Sequence, residues 1–460
     1  MANSSKTAPA LPVFKPYAAG IDIGATQIFV AVPPECAASP VRHYDTFTGD
    51  LQALADWLEE CRIKTVAMES TGVYWIPLFQ ILEARGLEVY LVNARHLKNV
   101  PGHKSDGEDC QWIQYLHACG LLHASFRPEH QVCVVRSLLR HRENLVAAAS
   151  TQVQHMQKSL TQMNLQLHNV ISDLTGKTGL AILDAILAGA RDPDTLAAFR
   201  DPHIKASQET IAKSLVGDYR FEHLFVLKQA LGAYRYYQQL IAECDQQLEA
   251  QLACFVARVN PDEKPLPTPL RRFRMPTRGH PLHFEQTDLR TELYRLLGVD
   301  LTAVPGLESL TLYTLFSEIG RDLSAFPTYK HFCSWLGLCP NNRISGGKVL
   351  SSKTRAVKSR AAQALRMAAE GLCRSHSALG DYYRKMRFRL GPAAANTATA
   401  HKLARIIYHL LTTGESYDES VFAAEQERAQ LRRERKLKRE AVALGYRLAP
   451  DADGPTPAVT

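Results

Sequence analysis

Between Tyr17 and Arg127 strand and helix signals alternate in one order, and that order limits the fold more than any other feature of the chain. Ala18 to Ile23 is a short apolar run. Gly24-Ala25 can turn it into a second strand, Ile28 to Val32. Arg42 to Phe47 is a weaker third strand. Leu51 to Cys61 has helical apolar spacing, and Thr65 to Met68 reads as a buried strand. Val73 to Arg85 is helical, Leu87 to Val92 is a strand, and Glu108 to Ala118 is helical again. The order β-β-β-α-β-α-β-α predicts an α/β domain, a mixed sheet with helices packed on it.

The rest reads as all-α. Val146, Ala149, Val153, Met156, Leu160, Met163, Leu167, Val170 and Leu174 alternate in steps of three and four within a long helix, about Val134 to Leu174. That pattern predicts a coiled coil ending at Gly176, with one helix of an intramolecular bundle as the alternative. A second amphipathic helix, Phe221 to about Phe255, could return antiparallel to it. Six prolines between Pro261 and Pro281 forbid long helices there and predict a linker whose Arg271, Arg272, Arg274 and Arg278 touch phosphate. From Asp300 to Thr413 the reading is almost all helical, with turns at Pro305-Gly306, Gly320, Gly337 and 340–347. The Pro305-Gly306 turn suits backbone N–H groups offered to phosphate. After Glu415 a charged helix runs to Leu448, and the last residues look disordered. The expected organisation is a tail over 1–16, an α/β domain over 17–130, a helical region over 131–258, a linker over 259–299, a helical domain over 300–415 and a charged tail over 416–460.

Charge says what such a chain meets. The net charge is +8, but 341–410 carries fourteen Lys/Arg against Glu370 and Asp381. That segment alone is +12, which leaves −4 for the remainder. A basic block inside a globular region is the footprint of a polyanion, with a solvated helical face as the alternative. Within it Lys348, Lys353, Arg355, Lys358, Arg360 and Arg366 are candidate nucleic-acid contacts, joined by Lys104. The basic run Arg428 to Arg439 is interleaved with acids and reads as an exposed helix. With 46% hydrophobic and 22% charged residues the chain is not mainly disordered. It has no apolar run long enough to span a membrane and no apolar signal segment, so a cytoplasmic protein is expected. Its ten cysteines form no CxxC pair and read as reduced core thiols.

Four acids are candidate metal ligands. Asp22 lies in Gly20-Ile21-Asp22-Ile23-Gly24, inside the first strand, where a carboxylate is costly unless paired or bound to a cation. Glu69 ends another core strand. Asp106 and Asp109 are three apart and share a helix face if the helix begins near Ser105, although Ser105 or Asp106 could simply cap it. Hard oxygen ligands converging at sheet ends suit Mg²⁺, with Mn²⁺ as its substitute. The first motif also resembles the phosphate loop of actin-like sugar kinases, but the second Asp-x-Gly loop and the adenosine site of those proteins are not found.

With these residues in hand, the chain resembles the DEDD transposases of the insertion-sequence 110 family, in particular its 1111 subgroup, from about Ala18 to Glu415. The resemblance implies an RNase H-like fold close to the Holliday-junction resolvase RuvC, with Asp22, Glu69, Asp106 and Asp109 as its acids. A second match runs through Val304-Pro305-Gly306-Leu307, Glu318-Ile319-Gly320 and Leu336-Gly337-Leu338 to Ile344-Ser345-Gly346-Gly347-Lys348. That last stretch is similar to the family's serine motif, so Ser345 takes the role of nucleophile by resemblance. In one departure Ala361-Ala362 precede Leu365-Arg366, where many relatives have Gly-Asn. Read from the residues alone, a serine before two glycines allows close approach of phosphate to backbone N–H groups, and Lys348, Lys353 and Arg355 could neutralise a phosphorane. A plain turn residue is the alternative, and Ser351 and Ser352 stay open.

The reading is therefore a transposase that cuts and rejoins double-stranded donor and target DNA. The resemblance implies a phosphoserine intermediate, a structured non-coding (bridge) guide RNA, a homo-oligomer (dimer or tetramer), and a composite site built from two subunits. Val146 to Leu174 is the expected dimer contact. Two rivals are a metal-dependent junction resolvase without a covalent intermediate, and a non-catalytic nucleic-acid-binding protein.

Overall fold

The structure, a computed structural model, describes residues 12–70, 72–93, 106–268 and 282–447. They form two compact units, 1–127 and 128–460.

The first unit is a five-stranded sheet in the order β3-β2-β1-β4-β5. Its strands are β1 (Ala18–Ile23), β2 (Gln27–Ala31), β3 (Val41–Asp45), β4 (Thr65–Glu69) and β5 (Glu88–Val92). β1 to β3 form an antiparallel meander, and the Gly24 N–H donates to the Gln27 carbonyl across the first turn at 2.9 Å. β4 and β5 add in parallel on the other side of β1, each reached through a helix: α1 (Thr48–Glu60), then α2 (Trp75–Ala84). The strand alternation decides which face each residue takes. Ile21, Ile23, Val66 and Met68 point to the face that packs on Leu54, Leu58, Leu78 and Leu82 of α1 and α2. Ala67 and Val92 pack on the opposite face with Ile113 and Leu116 of α3 (Asp106–Ala118).

The second unit is built on α4 (His130–Gln162) and α5 (Phe221–Ala253). They lie antiparallel: the Cys244 thiol donates to the Leu138 carbonyl near one end, and the Asp218 N–H to the Met163 carbonyl near the other. A buried ion pair, Arg142–Asp245, locks the register, with Arg142 Nη2 3.2 Å from Asp245 Oδ2. The expected helix to Leu174 stops twelve residues early, at Gln162. Asn164 takes a left-handed φ of 56°, and the Leu165 N–H closes back on the Leu160 carbonyl at 2.9 Å. Asn tolerates that conformation, so the cap ends the helix although the apolar pattern continues. Gly176 precedes a separate helix, Lys177–Leu187. Of the nine residues of the expected seam, Ala149, Met156, Leu160, Met163, Leu167 and Leu174 are buried within the chain and Val146, Val153 and Val170 are half-buried, so most of the seam packs intramolecularly.

Helices α6 (Leu289–Leu297), α7 (Ser309–Ile319) and α8 (Tyr329–Trp335) follow. α6 falls inside the stretch expected to be linker; Asp288 caps it and Gly298 ends it in a left-handed turn. A two-stranded hairpin, β6 (Arg343–Ser345) and β7 (Lys348–Ser351), interrupts the helices where only a turn was expected. Then come α9 (Arg360–Gly371), α10 (Ala378–Leu390), α11 (Pro392–Thr413) and α12 (Ala423–Ala443). Ala361 and Ala362, the departure from the family pattern, are buried in the first turn of α9. All ten cysteines are free. No helix among the described residues is long and apolar enough to cross a membrane.

Candidate active site

Two of the four expected acids, Asp22 and Glu69, lie at one edge of the first sheet, and a third, Asp109, is in the first turn of α3. β1 and β4 run parallel with Ile21 opposite Met68, and one step further along the same register Asp22 stands opposite Glu69. Glu69 ends β4 and Asp22 is the last residue but one of β1, so both lie at the C-terminal edge. Both lie on the face of Gly20 and Ala67, the face α3 covers. Gly20 makes that cover close: a Cβ there would stand 2.2 Å from the Gln114 nitrogen and 2.4 Å from the Cys110 carbonyl oxygen. α3 starts at Asp106 and carries an exposed Asp109 in its first turn, where the helix dipole favours carboxylates. The half-buried Asp22 and the first turn of α3 meet at Cys110, whose thiol burial and the Asp22 charge push up to about 12.

The expected ligands are all carboxylates, the chemistry a hard divalent cation takes. Among the described residues no three His, Cys, Asp or Glu side chains stand close enough to share an ion, and Asp106 enters here only as the first residue of α3. Asp22 and Glu69 make other interactions in the fold. Lys104, Ser105, Arg271, Arg272, Arg274 and Arg278 lie outside the described residues.

In the second unit the hairpin presents Ser345 exposed at its tip, followed by Gly346 and Gly347 with φ of 53° and 75°. Both values are left-handed, and the open space around both glycines leaves the turn uncrowded. Behind the tip a cleft of about 370 Å³ is lined by Asn341, Arg343, Ser351, Lys353, Thr354 and Arg355. The expected serine is thus at the tip, while Ser351 lines the cationic cleft. Lys348, Lys353 and Lys358 are exposed. Two other expected contacts have structural duties: Arg355 donates to the Ser334 carbonyl at 2.5 Å, and Arg360 pairs with Glu143 of α4. Arg366 is half-buried on α9. The Pro305-Gly306 turn is not open to phosphate. Pro305 is buried, and a Cβ on Gly306 would stand 2.9 Å from Leu372 Cγ and 3.0 Å from the Ala368 carbonyl oxygen, so this glycine serves helix packing.

Three contributors were not foreseen in the sequence. Gly20 sets the seat of α3; its signal was the small-residue run Ala18-Ala19-Gly20 two positions before the acid. The fully buried His117 of α3 meets Thr65 Oγ1 at 2.9 Å and ties the opposite edge of the sheet to the helix. Arg136 donates to the Ser317 and Glu318 carbonyls at 3.0 and 2.9 Å, and Arg140 holds the Glu318 carboxylate, so α4 anchors the C-terminal end of α7. Nothing local in the sequence marks either of the last two.

The first unit is an RNase H-like sheet with Asp22 and Glu69 at its C-terminal edge, the second a helical unit bearing a basic hairpin, and the family matches make the whole a DNA-transposing enzyme. A DEDD transposase family model matches residues 19–165, and the model described as Transposase IS116/IS110/IS902 family matches residues 300–384. The two stretches together span about half of the chain and hold Asp22, Glu69, Asp106, Asp109 and Ser345. The chain belongs to the insertion-sequence 110 family of DEDD transposases, and its activity is that of a DNA transposase/recombinase. Membership carries DNA binding and points to dependence on a divalent metal ion. No curated protein matches the chain.

Proposed function

We propose that this transposase cuts and rejoins double-stranded donor and target DNA through a phosphoserine formed on Ser345, guided by a structured non-coding RNA. The observation that carries the serine reading is the hairpin itself. It holds Ser345 exposed between Arg343 and Lys348, with two left-handed glycines that let a phosphate approach the backbone. In the step the Ser345 hydroxyl gives up its proton as the Oγ–phosphorus bond forms, the bond from phosphorus to one deoxyribose oxygen breaks, and that oxygen takes up a proton in balance. Attack by a hydroxyl of another strand on the phosphoserine reverses the step and rejoins DNA. Arg343 and Lys348 offset the charge of the phosphorane. Asp22, Glu69, Asp106 and Asp109 would hold Mg²⁺, or Mn²⁺, which when bound supplies Lewis-acid stabilisation of charged oxygens. The 1111 subgroup, the guide RNA, a dimer or tetramer and a site on the bacterial nucleoid follow from the resemblance. The basic segment supports a polyanion without separating RNA from DNA.

The cleft favours a second reading, attack by Ser351, which lines it with Arg343 and Lys353. One experiment separates the readings: a denaturing gel of full-length protein on a nicked suicide DNA substrate, with any adduct mapped by mass spectrometry. Ser345→Ala should remove both adduct and recombination, while Ser351→Ala and Ser352→Ala keep both. An adduct lost only in Ser351→Ala moves the nucleophile. Cleavage by wild type with free phosphate ends and no adduct establishes the resolvase chemistry instead. Asp22→Asn should abolish recombination yet bind nucleic acid with the same steep salt dependence as wild type.

A further inference from the structure

Helix α10 ends in Arg387-Phe388-Arg389-Leu390, a segment the serine hairpin and the acid edge do not use. Phe388 is 94% exposed and Leu390 54% exposed, on a helix that buries Leu379 and Tyr383 elsewhere. Single exposed apolar side chains are common; the surroundings of this ring distinguish it. Lys385, three residues earlier, and Arg384, four earlier, share its side of the helix. Arg384 is committed to the Cys373 and Ser375 carbonyls and to Asp381. Asp381 is the only acid on the helix, so Lys385, Arg387 and Arg389, all exposed, remain without a counter-charge on it. Arg387 and Arg389 complement the negative end of the helix dipole. That accounts for two charges and not for a bare aromatic ring among three.

The ligand that uses both is a nucleic-acid strand with unstacked bases. Phosphates answer the cations, and the face of a free base stacks on a phenyl ring whatever its sequence. A closed duplex offers the phosphates but keeps its base faces inside the stack. An ordinary apolar protein surface would leave the three cations unmatched. We propose that the C-terminal end of α10 binds an unpaired stretch of nucleic acid, with Phe388 stacking on one base and Lys385, Arg387 and Arg389 holding the flanking phosphates. The proposal rests on the reading of 341–410 as a polyanion surface. Unpaired stretches occur in DNA opened for strand exchange and in the loops of a folded RNA, and the recognising chemistry is the same.

The test is fluorescence anisotropy of the full chain on three labelled probes: a gapped DNA duplex, an RNA hairpin with an open loop, and a fully paired DNA duplex. Phe388→Ala should bind one or both unpaired probes about 10-fold more weakly and the paired duplex unchanged, while Phe388→Trp restores binding. The probe that loses affinity identifies the source, DNA or RNA. 2-Aminopurine placed in that probe should be quenched by wild type and not by Phe388→Ala. Equal binding of every probe by Phe388→Ala, or an equal loss on the paired duplex, overturns the proposal. So does a smaller particle in light scattering with all affinities intact, which assigns the ring to a second copy of the chain. Wild-type protein that binds no probe overturns the polyanion reading as well.

Discussion

Replacing Gly20 by Ala tests whether the acid edge depends on how closely α3 sits on β1. The added methyl would lie 2.2 Å from the Gln114 nitrogen, 2.4 Å from the Cys110 oxygen and 2.7 Å from the Gln114 Cα, and all three are backbone atoms. No rotamer change can relieve them. Ordinary carbon contacts need about 3.5 Å, so α3 must retreat by about 1 Å. Asp22 stays with the sheet, whereas Asp106 and Asp109 travel with the helix. Overpacking of this kind costs about 1–3 kcal/mol, which a folded chain can survive. On the proposed reading these acids hold a divalent metal ion, whose ligand set tolerates far less than 1 Å, and a misplacement of that size costs roughly 100-fold in rate. Gly20→Ala should therefore keep its helix content and lose DNA strand cleavage, with a raised Mg²⁺ requirement. Gly49→Ala is the control, since a Cβ there meets nothing within 4 Å. Circular dichroism and a Mg²⁺ titration of cleavage read the outcome. Gly20→Ala that cleaves at the wild-type rate with the wild-type Mg²⁺ midpoint would refute the reasoning.

His117 should make the first unit acid-sensitive. Burial, then the Lys15 charge, lowers it from 6.5 to about 4. A depressed histidine contributes stability that is fully present above the unfolded value and is lost as pH falls from about 6.5 toward 4, about 3 kcal/mol in all. Hydrogen exchange of the β4 and α3 amides at pH 7 and 4.5 should show that loss in wild type and a much smaller one in His117→Gln. Asp245→Ala should lower stability by about 3–5 kcal/mol in chemical unfolding, because Arg142 is left buried without its partner; the double replacement Arg142→Met, Asp245→Leu should recover most of it. Met156→Glu with Leu160→Glu places two carboxylates on fully buried positions of α4. Helix content should fall with no separate change in subunit number, and a smaller, still fully helical particle in light scattering would return the seam to a subunit contact.

Periodicity made the first unit legible. Among the described residues from Ala18 to Ala118, each expected strand and helix is found within a few residues of where the apolar pattern puts it, because a two-residue period in strands and a 3.6-residue period in helices are local properties of the chain. The same rule misjudged α4. Its apolar spacing continues past Gln162, yet Asn164 turns left-handed and the later leucines are buried outside that helix. The hairpin β6–β7 escaped for the opposite reason: three- and four-residue strands, exposed throughout β6 and at most positions of β7, carry no burial pattern to read. α6 was hidden by its proline-rich neighbourhood, although Asp288 and Gly298 are ordinary start and stop signals.

What the sequence determined by itself is chemical identity and local order: an acid inside an apolar strand, a serine before two glycines, a +12 segment, and the succession of strands and helices. Each is a property of neighbouring residues or of simple counting. What only the tertiary structure decided is which distant groups meet. The parallel register that sets Asp22 opposite Glu69 joins residues 47 apart, and the seat of α3 on Gly20 joins residues 90 and more apart. The burial of the α4 seam against α5 likewise depends on Asp245 finding Arg142 across 103 residues. These are long-range choices among surfaces that the sequence marks only as apolar or charged. Packing and charge pairing select between them once the whole chain has folded.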